Sequence, residues 1–175
     1  IIRVYSEQYH GTTFNIYLPA SEAGEVKDTQ ADIELIKGKE SILLVDDEEA
    51  TMQVEKLMLT QLGYTVFPDR SGREAVDLYR KNAAALDLVA LDVIMPGMSG
   101  RDTYNELKKI DPEVKVLLVS CYSLNKQIEE LMDLGCHGFI QKPFDILQLS
   151  QKIREVLGID RREVNSGEIP KFEKK

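Results

Sequence analysis

From Glu40 to Leu157 the chain alternates short apolar runs with amphipathic stretches, and this alternation restricts the available folds more than any other feature. "SILLVDD" is a continuous apolar run closed by two acids, which suits a strand buried on both faces of a parallel sheet. Met52, Leu57, Met58 and Leu62 then recur near helical spacing until Gly63 supplies a stop, so a first helix is predicted there. The pattern repeats with "YTVFPD" as a second strand, "GREAVDLYRK" as a second helix, "LDLVALD" as a third strand and "RDTYNELKKI" as a third helix. "VKVLLVS" is a fourth strand, residues 123 to 134 carry Ile128, Leu131 and Leu134 on one face of a fourth helix, and "GFIQK" is a fifth strand. "DILQLSQKIREVL" closes the series with Ile146, Leu149, Ile153 and Val156 inward. Five strands alternating with five helices through short connections predict a doubly wound α/β domain, with a five-stranded parallel sheet and helices on both faces.

In such a sheet, ligands gather beyond the carboxyl ends of the strands. Asp46 and Asp47 end the first strand, Asp92 the third, Ser120 the fourth and Lys142 the fifth. Carboxylates converging on one rim repel one another unless a cation compensates, and Mg²⁺ is the natural candidate, a hard ion commonly held by carboxylates, water and phosphate. Lys142 adds a fixed positive charge, so the set suits a phosphoryl group, whose transfer depends on positioning and electrostatic stabilisation. Taken singly these residues say little: an acid pair at a strand end is often a solvated turn, and a lone Ser is more often a cap. The weight lies in their sharing one rim.

The net charge of -8 and pI near 4.9 oppose a nucleic-acid surface, which selects clustered Lys and Arg. No stretch approaches the roughly 18 apolar residues of a membrane helix, so no membrane contact is expected. Cys121 and Cys136 have neither zinc nor redox spacing, and nothing resembles a secretory signal, so a reducing, cytoplasmic setting is the expectation.

"LLVDDEE", "LDVIMPGMSG", "LLVS" and "GFIQKPF" occur in the order and at the spacings of a response-regulator receiver domain, which residues 39–158 resemble. The resemblance implies the flavodoxin-like strand order 2-1-3-4-5 and a role in two-component, phosphorelay signalling. It implies that Asp92 accepts a phosphoryl group from the phosphohistidine of a histidine kinase. Asp47, Asp92 and the backbone carbonyl of Ile94 would bind Mg²⁺, with Asp46 acting largely through water. Ser120 and Lys142 would each engage a phosphoryl oxygen, and inward movement of Ser120 would be followed by Phe139, the switch aromatic. The resemblance also implies a cis Lys142-Pro143 peptide. Ile94 offers no polar group to orient a hydrolytic water, Tyr122 is bulky and Cys121 narrows access further, so slow self-dephosphorylation is expected. A histidine phosphotransfer domain or an output protein is a further expected partner, and monomer and homodimer both stay open. Two other readings are a pseudo-receiver that binds proteins without phosphorylation, which the complete residue set disfavours, and an aspartate-nucleophile phosphohydrolase, for which no general acid is evident.

The first residues read as a hairpin, with Ile2 and Val4 alternating in "IIRVYSE" and Phe14, Ile16 and Leu18 sharing a face in "TTFNIYLPA". "SEQYHGTTFNIYLP" resembles the end of the ATP-binding domain of sensor histidine kinases, although Gln8, Tyr9 and His10 stand where that family usually has a second glycine. His10 belongs to this loop and is no phosphohistidine candidate. The expected organisation is therefore 1–20 as terminal strands of a kinase ATP-binding domain, 21–38 as linker, 39–158 as receiver and 159–175 as a flexible tail. That order resembles hybrid sensor histidine kinases, so the chain reads as a piece of a protein-histidine kinase, itself without the phosphoacceptor histidine region or a complete nucleotide pocket and without ATP-dependent kinase activity.

Overall fold

The computed structural model describes residues 1–18, 35–121 and 126–158, which fall into two separate units. In the larger unit, β3 (Ser41–Val45), β4 (Thr65–Asp69), β5 (Leu88–Asp92), β6 (Val116–Ser120) and β7 (Gly138–Gln141) form one sheet in the order β4-β3-β5-β6-β7, every pair parallel. Numbered within the unit this is 2-1-3-4-5, as the resemblance implied. Between the strands run α1 (Glu49–Gln61), α2 (Gly72–Asn82), α3 (Gly100–Ile110), α4 (Lys126–Asp133) and, after β7, α5 (Ile146–Leu157). The predicted start of the fourth helix, like Tyr122, lies outside the described residues.

Successive strand residues point to opposite faces, and the core divides accordingly. Ile42, Leu44, Leu88, Ala90, Leu117 and Val119 pack with Met52, Leu59, Leu149 and Ile153 of α1 and α5. Leu43, Val45, Val89, Leu91, Val116 and Leu118 pack with Val76, Tyr79, Tyr104, Leu107 and Leu131 of α2, α3 and α4. Every residue of β5 and β6 is therefore buried, which explains their unbroken apolar character. Strand β4 is partly exposed and carries Pro68; a proline is tolerated there because an edge strand is paired on one side only.

Local chemistry sets the helix ends. The Ser71 and Ser99 side chains accept from the backbone N–H of Glu74 and Asp102, and Asp145 with Gln148 forms a reciprocal capping box. Helix α1 departs from its predicted face: Leu57 is 69% exposed, and the inward stripe is Met52, Glu55, Leu59 and Leu62. The stripe is still helical in spacing, but one of its members is charged.

Residues 35–38, expected as the end of a linker, are bound to the larger unit. The Ile36 N–H donates to Ser150 Oγ, which donates back to the Ile36 carbonyl, and the Gly38 N–H donates to Leu62 O. Buried Arg154 donates to both Glu40 carboxylate oxygens and to Lys37 O, and lies over the Tyr64 ring. The rest of the expected linker, from 21 to 34, and the expected tail lie outside the described residues.

The smaller unit contains β1 (Ile2–Glu7) paired antiparallel with β2 (Gly11–Ile16). The hairpin expected from the alternation is present, with Ile2 opposite Ile16 and Val4 opposite Phe14, and all these side chains are exposed.

Gly100 starts α3 against the backbone that follows β5. A Cβ there would lie 2.5 Å from Asp92 O and 2.7 Å from Val93 Cα, backbone atoms that cannot swing away. Gly100→Ala is expected to cost about 1 to 3 kcal/mol, as overpacking in a tight interior does, read as a lowered midpoint of urea unfolding.

Candidate functional site

The carboxyl ends of β3, β5, β6 and β7 meet at one rim, where backbone hydrogen bonds continue past each strand. The N–H of Asp46 donates to Asp69 O, that of Val93 to Val119 O, and that of Lys142 to Ser120 O. These bonds align Asp46, Asp92, Ser120 and Lys142 by backbone alone. All four belong to the set predicted from sequence.

Their side chains show how the rim is balanced. Asp46 and Asp92 are buried, each with Oδ1 accepting a local backbone N–H, from Glu48 at 2.7 Å and from Ile94 at 2.8 Å. Their second oxygens accept from the Lys142 ammonium, Asp46 Oδ2 at 2.5 Å and Asp92 Oδ2 at 2.9 Å. Burial alone would lower the Lys142 pKa, but the carboxylates of Asp46, Glu55 and Asp92 outweigh it and hold the ammonium above the ordinary lysine range. Lys142 is thus a permanent cation in this pocket. Its peptide bond to Pro143 is cis, as implied.

Asp47 is half-buried and stands apart from this network; its backbone carbonyl accepts from Arg70, which also pairs with Glu49. Among the described residues, no three Asp, Glu, His or Cys side chains are arranged as a ready metal cage. What joins Asp46 to Asp92 is the ammonium. The available donors are nevertheless carboxylate oxygens, the chemistry a hard divalent ion selects. Ser120 is buried at the end of β6, and Phe139 on β7 packs against the cluster containing Leu118 and Leu131. Ile94 is 49% exposed between buried Val93 and Met95. Gly97 has φ 77°, as the Pro96-Gly97 turn requires.

Glu55 was not singled out in the sequence. Its side chain is buried on α1, and Lys142 Nζ lies 3.4 Å from its Oε1, within ion-pairing range, yet neither carboxylate oxygen accepts a hydrogen bond. Burial pushes its pKa up to about 7, with Lys142 opposing and Asp46 and Asp92 adding to the rise. Glu55, Val54, Met58, Cys121, Lys142 and Phe144 line part of a largely apolar cavity of about 620 Å³. The signal for Glu55 was available only as a charged residue in the stripe Met52, Leu59, Leu62.

Comparisons with known proteins bear on the family and the fold. Residues 42–154 match the family model described as the response regulator receiver domain. Sensor kinase CckA of Brucella abortus is 34% identical over 162 residues, covering 87% of this chain and 17% of that protein, so the chain spans less than a fifth of that relative's length. The chemotaxis protein CheY of Thermotoga maritima is 33% identical over 116 residues, 66% of this chain and 95% of that protein. Among solved structures, the non-phosphorylated HemR receiver domain of Leptospira biflexa superposes with a TM-score of 0.63 at 31% identity, covering 70% of this chain and 98% of its own. The receiver domain of an Arabidopsis thaliana histidine kinase, complexed with Mg²⁺ and BeF₃⁻, gives 0.63 at 25% identity, covering 73% and 95%.

The raised Glu55 pKa carries a stability consequence. The folded state holds this proton up to about pH 7, whereas the unfolded chain releases it near 4.5. The associated stability is fully present below about pH 4.5 and is lost as pH rises through about 7. Glu55→Gln should therefore gain on the native chain between pH 5 and 8, by up to about 3 kcal/mol from a shift of this size. Urea unfolding of both proteins at each pH checks this, the pairwise comparison cancelling His137, whose lowered pKa acts in the opposite sense.

Proposed function

Because this chain belongs to the response regulator receiver family of two-component signalling, we propose that Asp92 is its phosphoryl acceptor and a histidine kinase phosphohistidine its donor. A carboxylate oxygen of Asp92 attacks phosphorus, the bond from phosphorus to the imidazole nitrogen breaks, and an acyl phosphate forms. The observation that carries this reading is the Lys142 ammonium, 2.9 Å from Asp92 Oδ2 on the buried rim of the sheet. It places a fixed positive charge beside the reacting carboxylate, where phosphoryl transfer gains most from electrostatic stabilisation. The Ile94 N–H, bonded to Asp92 Oδ1, restrains the other oxygen.

Asp47 and Asp92, with the Ile94 carbonyl and with Asp46 acting through water, are the residues that would hold Mg²⁺. When bound, the ion would neutralise charge on the phosphoryl oxygens. Ser120 donates its hydroxyl to a phosphoryl oxygen, and its inward movement leaves space for Phe139. Phosphorylation adds about 1.5 to 2 negative charges to the pocket, enough to bias two states that differ in the positions of these side chains. Phe139 has no hydroxyl, so its inward state is held by packing alone.

The parent is proposed to be a hybrid sensor histidine kinase in the cytoplasm. The 162-residue match to a sensor kinase is longer than the span 42–154, so the likeness extends beyond the receiver. The N-terminal hairpin suits the end of a kinase ATP-binding domain, with a histidine phosphotransfer domain or an output protein as the next partner.

Incubation with Mg²⁺ and acetyl phosphate or beryllofluoride should modify one site per chain in the native protein and none in Asp92→Asn. Unchanged modification of that variant, or no modification of the native chain, would overturn the assignment. A phosphoryl half-life of minutes or longer is also expected, since Ile94 offers no polar group to orient water; decay within seconds in purified protein with Mg²⁺ contradicts this.

A further inference from the structure

We infer that Glu55 is a positioning residue of the phosphoryl site, a built-in counter-charge that competes with the phosphoryl group for the Lys142 ammonium. The inference rests on the assignment of Asp92 as acceptor. Its basis is an excess of anions around a single cation. Lys142 Nζ already donates to Asp46 Oδ2 and Asp92 Oδ2 and has Glu55 Oε1 at 3.4 Å. Among the described residues no other Lys or Arg is paired with these three carboxylates.

Glu55 is 4% exposed, and neither of its oxygens accepts a hydrogen bond. A buried carboxylate in that state is costly unless a partner compensates, so its attraction for Lys142 is strong and unshared. It occupies an inward position of α1 between Met52 and Leu59, where an apolar residue would complete the stripe at lower cost. The helix backbone prevents it from withdrawing, and the neighbouring cavity wall is mainly apolar.

A phosphoryl group on Asp92 needs the same ammonium. Lys142 must then turn from Glu55 toward the new oxygens, leaving a buried carboxylate uncompensated and close to a dianion. Both effects weaken anion binding at Asp92. The side chain of Glu55 does not touch the reacting atoms, and it acts only through Lys142 and through its own charge. Replacing that charge by an amide of the same shape frees the ammonium and removes the repulsion.

The experiment is titration of the full chain with beryllofluoride and Mg²⁺ at pH 8, native against Glu55→Gln, with lysine side-chain NMR of the same samples and Lys142→Arg to assign the Lys142 signal. The amide variant should bind at least about five-fold more tightly, the lower end of coupling between linked sites. Its Lys142 signal should also move before any beryllofluoride is added, which a purely structural role would not require. Affinity within two-fold of native, or an unmoved Lys142 signal, overturns the inference while leaving Asp92 as acceptor. Failure of the native chain to bind, or binding by Asp92→Asn, overturns the acceptor assignment itself. Glu55→Leu is the second neutral variant, and unfolding of both by thermal melting would show Glu55 to be a structural residue and overturn the inference.

Discussion

A parallel sheet covered on both faces by helices has one place where side chains can leave the core together, the rim at which every strand ends. Strands β5 and β6 are buried along their whole length, so a polar side chain within them would face a helix layer and lack solvent. At the final residue the chain leaves the strand, and Asp92 and Ser120 stand there, both buried. The position of the site follows from this burial. The hydrogen bonds of Val93 to Val119 and of Lys142 to Ser120 carry the alignment past the strand ends and fix the site on rigid elements.

At that rim the balance of charge is settled by one ammonium. Lys142 joins Asp46 to Asp92 and draws Glu55 into the same field, so a cation supplied by β7 compensates acids supplied by β3, β5 and α1. Any divalent ion or phosphoryl group that enters must redistribute these contacts. Burial makes each contact costly to leave unpaired, and the pocket is therefore sensitive to charge rather than to shape alone. The 2.9 Å bond to Asp92 and the 3.4 Å approach to Glu55 converge on the same nitrogen.

The strands, the helix order and four of the rim residues were legible because each produces a local pattern: an apolar run, a helical stripe, a stop, a polar residue after a strand. Gly63 signals the end of its helix and takes up positive φ there, whereas the caps Ser71, Ser99 and Asp145 came to light only in the structure. Asp47 was legible as an acid at a strand end, but its orientation was not. It lies outside the Lys142 network because consecutive residues at a strand end point apart. Leu57 illustrates a different limit. Helical spacing predicts a stripe, but two adjacent stripes on α1 were both partly apolar, and only contact with the sheet selected the one through Leu59.

The sequence by itself determined the layered parallel architecture and the identity of the acids and the lysine at the strand ends, since these depend on periodicities of two and 3.6 and on residues adjacent in the chain. Tertiary structure decided that Glu55 is buried beside Lys142, that residues 35–38 are held by Ser150 and Arg154, and that Asp46 and Asp92 share a single ammonium. Each of these joins groups distant in the chain. The burial and charge of a side chain depend on what the opposite element presents at that point in space, a quantity that no local pattern contains.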